Sequence, residues 1–178
     1  MQDNHETIVL AGGCFWCIET IYKKVAGVVS LESGYTGGVM PNPTYTQVCG
    51  GTTGHAEVVK VVFDTTKIDL ENILRIFFDV HDPTTLNQQG ADIGTQYASR
   101  IFYTSESQKE IIEKVIKEVQ VHFKEPIVTT VSPLGDYYKA EDYHQDYYAK
   151  NPNQPYCIAV ISPKLQKFLK TNPKFIKQ

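Results

Sequence analysis

Apolar and polar positions alternate along the chain in stretches that change period, and each change marks a predicted element. Thr7 to Ala11 is a short run of β-forming residues, and Gly12-Gly13 turns it into a predicted helix from about Cys14 to Val25. Cys14, Cys17, Ile18, Ile21, Tyr22 and Val25 fall on one helical stripe, and Gly27 closes it. Val28 to Tyr35 reads as a second strand and Glu57 to Asp64 as a third, separated by a loop, Thr36 to Gly54, rich in Gly, Pro, Thr and Asn. Asp69 caps a helix with Leu70, Ile73, Leu74 and Phe77 on one face, stopped at Asp82-Pro83. After a polar loop, Thr84 to Gln96, comes a strand at Tyr97 to Tyr103. Ser105 with Gln108 opens the longest helix, whose inner face is Ile111, Ile112, Val115, Ile116 and Val119. Ile127 to Val131 is a short strand, and the remainder reads as a loop-rich tail with one helix near Glu141 to Lys150.

Strands and helices alternate, but long irregular loops join several of them. That pattern predicts a two-layer α/β (α+β) sandwich with a mixed sheet rather than a regular doubly wound one. With 178 residues the expectation is one catalytic domain, its core over about residues 6 to 163.

Charge narrows the function. Lys plus Arg number 17 against 20 Asp plus Glu, a net charge of −3 without long runs, so a nucleic-acid or anionic-membrane binder is not expected. The longest apolar run, Ile8 to Ile18, is eleven residues and too short to span a bilayer. Met1 to Thr7 carries Asp3 and Glu6 and no Lys or Arg, unlike a secretory leader, so the expected location is cytoplasmic. There, four cysteines are too few for a disulfide scaffold and read as reduced, metal-bound or catalytic.

Cys14 stands where strand, Gly-Gly turn and helix meet. Free N–H groups and the positive dipole end favour a thiolate there, although a buried free cysteine opening a core helix has the same pattern. Phe15 and Trp16 lie off the inward stripe and should form an aromatic wall beside the thiol. Cys17 completes Cys-x-x-Cys but sits on the core stripe. Cys49 and Cys157 stand alone, which disfavours a four-cysteine zinc site, and Cys49 reads as packing. Glu57 shares a strand face with Val59, Val61 and Phe63. If that face is the core, burial raises its pKa and makes it a general acid; a solvated strand-end Glu fits the pattern equally. Tyr45 and Tyr97 are the hydroxyl donors nearest these features.

Five ordered blocks carry a resemblance. They are Gly13-Cys14-Phe15-Trp16, Gly54-His55-Ala56-Glu57-Val58-Val59, the run His81 to Asn87, the run Asp92 to Tyr97, and Ala140-Glu141-Asp142-Tyr143-His144-Gln145. Over roughly residues 6 to 163 the chain resembles the A-type peptide methionine sulfoxide reductases. The resemblance implies reduction of methionine S-sulfoxide, free or in proteins, with no bound cofactor or metal and with thioredoxin or a similar external dithiol as reductant. It implies Cys14 as nucleophile, Glu57 as acid assisted by Tyr45 and Tyr97, Phe15 and Trp16 as the methyl pocket, and Asp92 and His144 as supporting substrate-binding positions.

Cys157 matches the usual resolving position, and its Pro/Asn-rich surroundings predict a flexible segment able to reach Cys14, so Cys157 is expected to resolve the sulfenic acid. The core-facing position of Cys17 argues against Cys17 in that role. Cys17 offers a second route. The chain departs from the family pattern at Cys17 (commonly Gly), at Ala98 (commonly Arg), and in having one tail cysteine. A general thiol–disulfide oxidoreductase using Cys14 and Cys17 is the competing enzyme class, and a metal-binding module the non-enzymatic one.

Overall fold

Residues 3 to 178 are described by a computed structural model. Its elements, in chain order, are β1 (His5–Ala11), α1 (Phe15–Lys23), β2 (Val28–Thr36), α2 (Tyr45–Cys49), β3 (Ala56–Asp64) and α3 (Leu70–Val80). There follow β4 (Gln88–Gln89), β5 (Asp92–Ile93), β6 (Arg100–Tyr103), α4 (Glu106–Gln120), β7 (Thr130–Pro133), β8 (Tyr137–Lys139), α5 (Tyr147–Lys150) and α6 (Ser162–Thr171).

Six strands form one sheet in the order β7-β6-β1-β3-β2-β8; β6 and β7 run parallel and every other neighbouring pair antiparallel, so the sheet is mixed. Strand period two divides the side chains between its faces. Ile8, Leu10, Val59, Val61, Phe63 and Ile101 join the helices in the main core, which takes in Ile18, Ile21 and Tyr22 of α1, Ile73 and Phe77 of α3, Ile112 and Val115 of α4 and Phe168 of α6. Val9, Ala11, Ala56, Val58 and Phe102 form a small cluster on the other face, against which Leu134 and Tyr137 pack. That is the expected two-layer α/β sandwich.

Caps place the helices. The Asp69 side chain accepts from the backbone N–H of Asn72 at 2.8 Å, and that of Ser105 from Gln108 at 3.3 Å. Inside the expected loop Thr36 to Gly54, α2 forms because Thr44 and Gln47 make a reciprocal capping box. Inside the loop Thr84 to Gln96, β4 and β5 make a two-stranded hairpin. Tyr97 ends a 3-10 turn (Thr95–Tyr97), so the strand expected to start there begins at Arg100.

The largest departure is the C-terminal segment, which is not a loop-rich tail. A 3-10 turn (Asp142–His144) and the short α5 share the place expected for one helix. A π-helical turn (Cys157–Ile161) then runs into α6, which buries Leu165 and Phe168, and Ile176 bridges to Val25. Pro163 at the first turn of α6 starts a helix where a missing N–H costs nothing. The packed structure therefore extends past residue 163, and Cys157 is buried within it.

Candidate active site

Cys14 is the N-cap residue of α1, in extended conformation, directly after Gly13 at φ +90°. A Cβ at position 13 would lie 2.7 Å from the Cγ of Gln89, so both backbone and space require glycine. Gly13→Ala is expected to cost about 1–3 kcal/mol, read as a lower denaturation midpoint at unchanged m-value, and to slow turnover by displacing Cys14.

The Cys14 thiol is 8% exposed. The backbone N–H of Trp16 lowers its pKa, as the helix end was expected to do. Burial opposes this more strongly, joined by Cys17 and Glu57, and the net shift is well upward. The Cys14 and Cys17 thiols share a proton, and Lys164 stands near Cys17. Despite its own burial Cys17 is drawn down to about 7, chiefly by its hydrogen bond from Cys14. The two thiols therefore titrate as a pair, with burial pushing the Cys14 side up and contact with Cys14 drawing the Cys17 side down.

Glu57 lies on β3 directly across from Tyr35 of β2 and is 1% exposed. Its Oε1 accepts the backbone N–H of Phe15 at 3.2 Å, while its buried Oε2 has no partner among the described residues. Burial is the main cause that pushes its pKa up to about 8. A neutral carboxyl anchored through Oε1 carries its proton on Oε2, and Glu57 is near enough to Cys14 for its charge to raise that thiol.

The aromatic residues surround this pair. Phe15 is buried, with its ring 5.7 Å from that of Tyr35, 6.4 Å from Tyr45 and 5.0 Å from His144. Trp16 stacks on Tyr147 at 3.7 Å and donates its indole N–H to Nδ1 of His144 at 3.0 Å. Burial holds His144 down, hence neutral, in keeping with Nδ1 as an acceptor. Tyr45 and Tyr97 are both half-buried, and burial first, then the charge of Glu57, raises each. They remain hydroxyl donors across the neutral range. Asp92 lies in the β5 hairpin and accepts the hydroxyl of Tyr156 at 2.6 Å.

Cys14, Glu57, Phe15, Trp16, Tyr45, Tyr97, Asp92, His144 and Cys17 thus converge, across 131 positions of sequence from 14 to 144. Cys157 lies just beyond: it is fully buried, and after burial itself its pKa responds to Cys17. The segment is not the loose tail expected: it is a π-helical turn that packs against α1 and continues into α6, with Cys157 buried. Cys49 is exposed at the end of α2, not packed in the core as expected. A surface cavity of about 780 Å³ lies between α3 and α6, and no cysteine or Glu57 lines it.

Four residues that sequence reasoning missed hold the site together. Tyr156 bridges Asp92 and Cys17. Glu141 accepts the Tyr35 hydroxyl and the backbone N–H of Tyr45, each at 2.9 Å, which seats α2 over the site. Glu19, buried on α1, accepts the backbone N–H of Asp146 and the Ser33 hydroxyl, and fixes the left-handed turn between His144 and Tyr147. Tyr147 is the fourth, the stacking partner of Trp16. Glu141 stands inside a motif block, which was the one available signal.

The family model for peptide methionine sulfoxide reductase matches residues 6 to 175. The chain is 53% identical over 172 residues to the peptide methionine sulfoxide reductase MsrA of Saccharolobus solfataricus, covering 97% of each chain. Among solved structures it is similar to Mxr1 from Saccharomyces cerevisiae in reduced form, at TM-score 0.82 and 38% identity over 86% of this chain and 90% of that one. A structure of Mxr1 in complex with Trx2 also matches, at TM-score 0.59 and 26% identity over 83% and 88% of the two chains.

Proposed function

The chain belongs to the peptide methionine sulfoxide reductase family and reduces methionine sulfoxide to methionine, and from its geometry we propose the residues that do so. The observation that carries the reading is the unpartnered Oε2 of a neutral, buried Glu57 beside the Cys14 thiol. Sulfoxide oxygen is a poor leaving group, so a thiol can attack the sulfur only where a proton is delivered to the oxygen as the bond forms. Glu57 supplies that proton, and the hydroxyls of Tyr45 and Tyr97 stabilise the oxygen.

Cys14 gives its proton to the Cys17 thiolate as it attacks. Its sulfur takes the oxygen as a sulfenic acid, methionine leaves reduced by two electrons, and Cys17 is left as a thiol. Phe15 and Trp16, held by His144 and Tyr147, form an apolar wall for the substrate's methyl group.

Cys17 then condenses with the sulfenic acid, releasing water and forming a disulfide with Cys14. Its proximity to Cys14, together with the packed position of Cys157, supports this order. Cys157, next to Cys17, serves the following exchange. Every electron comes from thiols, so the cycle asks for no bound cofactor or metal, and a thioredoxin-type dithiol closes it. The Trx2 complex of Mxr1 supports that partner. None of the described helices is long and apolar enough to cross a membrane, and a reducing compartment such as the cytoplasm suits four free thiols.

The test is a reductant-coupled assay on separated S and R sulfoxides, free and in a peptide, with Cys14→Ser protein as the blank. Turnover confined to the S form and absent from the blank is expected. Comparable turnover of the R form, or activity in the blank, would overturn the reading.

A further inference from the structure

Cys17 has a proton to lose in the second half of this cycle, and the structure provides an acceptor chain for it. The Tyr156 hydroxyl lies 3.8 Å from Cys17 Sγ and donates to Asp92 Oδ2 at 2.6 Å. Its one hydrogen is committed to the carboxylate, so the oxygen faces the thiol as an acceptor. Burial holds Tyr156 far above the usual tyrosine range, and the negative groups around it add to this, which keeps that hydrogen in place. The phenol is also fixed in position: its ring meets Trp16 edge-on at 5.9 Å, and its backbone leads into the π-helical turn that carries Cys157.

We propose that Tyr156 and Asp92 form a proton relay that activates Cys17 as the resolving nucleophile. This rests on the reading that Cys17, rather than Cys157, attacks the sulfenic acid. As the Cys17 sulfur bonds to the Cys14 sulfur, its S–H proton passes to the Tyr156 oxygen, and the Tyr156 proton passes to Asp92. The S–O bond of the sulfenic acid breaks. The hydroxide leaves as water with a proton from Glu57, which has been reprotonated from solvent after methionine formation. Asp92 then loses its proton to water, Glu57 regains one, and no net charge accumulates.

The relay explains why two steps with opposite proton demands can share one small site. In the first step Cys17 must be a thiolate to take the proton of Cys14; in the second it must shed that same proton. The groups facing Cys17 are Cys14 on its own helix, Tyr156 and Cys157 from the C-terminal turn, Asp92 from β5, Lys164 from α6 and Glu57 from β3. Asp92 disfavours the Cys17 thiolate while Lys164 favours it. Of the acidic groups, Asp92 is the one connected to Cys17 through a hydrogen-bonded hydroxyl.

The test uses single turnover of the fully reduced enzyme without external reductant, quenched at intervals. Methionine is quantified as the burst, the sulfenic acid by dimedone trapping, and the disulfide by peptide mapping. In Tyr156→Phe, and in Asp92→Asn should the first variant misfold, disulfide closure should fall at least about tenfold further than the burst, and dimedone-trapped Cys14 should accumulate. Raising the pH forms the Cys17 thiolate by direct ionisation, without the relay, so the closure rate of each variant should recover toward that of wild type at the same pH. Merely structural damage would not recover in this way.

Closure that keeps pace with the burst in both variants, or a defect that pH does not relieve, would overturn the relay. Peptide mapping separates this from failure of its premise. A first disulfide between Cys14 and Cys157 in the wild-type enzyme, with Cys17 free, would remove Cys17 as resolver and the relay with it. A Cys14–Cys17 disulfide closing normally in Tyr156→Phe and Asp92→Asn would remove the relay alone.

Discussion

Glu57→Gln should slow methionine release by about 10²–10⁴-fold in a single turnover, while Cys14 still reacts with a simple disulfide. The glutamine keeps the shape and can still accept the N–H of Phe15 through its carbonyl, but it has no proton to give. The thiol retains its helix-start position, so exchange with a small disulfide, whose leaving group needs no acid, is spared. Loss of both reactions together would point to a structural defect, and loss of neither would remove Glu57 from the chemistry.

The pH dependence of this step carries a sign. Glu57 is raised to about 8, so the acid is present below that value and is lost as pH rises through it. Methionine release should decline above pH 8 in the wild type, and this limb should be missing from Glu57→Gln. Stability follows the same direction. A carboxyl raised in the folded state contributes fully below its unfolded value, and that contribution fades as pH rises through the folded one. The melting temperature of the wild type should therefore drop relative to Glu57→Gln between about pH 4.5 and 8 and level off above, an assay independent of catalysis.

What was legible in the sequence followed from local rules. Gly-Gly before a helical stripe placed Cys14 at a helix start, and period two put Glu57 on one strand face with Val59, Val61 and Phe63, which the structure shows to be the core face. Tyr97 shows the limit of parity arguments, because a 3-10 turn, not a strand, presents it. Helix α6 carried its signal in Leu165, Phe168 and Leu169 at helical spacing, but the Pro/Asn-rich stretch before it read as tail. The thiol at the helix start is a subtler case. The dipole argument had the correct sign, and burial beside Glu57 outweighed it, a quantity that only packing reveals. Tyr156, Glu141 and Glu19 act across separations of 64, 106 and 127 residues, which no local pattern records. Cys157 was expected on a flexible tail, and the structure buries it in a packed helical turn.

That setting leads to the second large effect. Cys17→Ser should reduce thioredoxin-coupled turnover at least about 10²-fold, and Cys157→Ser less than about tenfold. In Cys17→Ser, serine can neither hold the anionic end of the thiol pair near neutral pH nor form a disulfide. The burst slows for the first reason and stops at one methionine per chain for the second, with the sulfenic acid on Cys14 trappable. Cys157 does not take over, because it is buried in a turn that packs against α1 and continues into α6, and moving it to Cys14 would unwind the segment that seats Tyr156 on Asp92. In Cys157→Ser the Cys14–Cys17 disulfide should form at its normal rate, and only its onward exchange should suffer. The reverse ranking, with Cys157→Ser the more damaging and its sulfenic acid persistent, would mean that the C-terminal turn unwinds during the cycle. Hydrogen exchange over residues 156 to 161 would then rise on oxidation, whereas resolution by Cys17 leaves that turn protected.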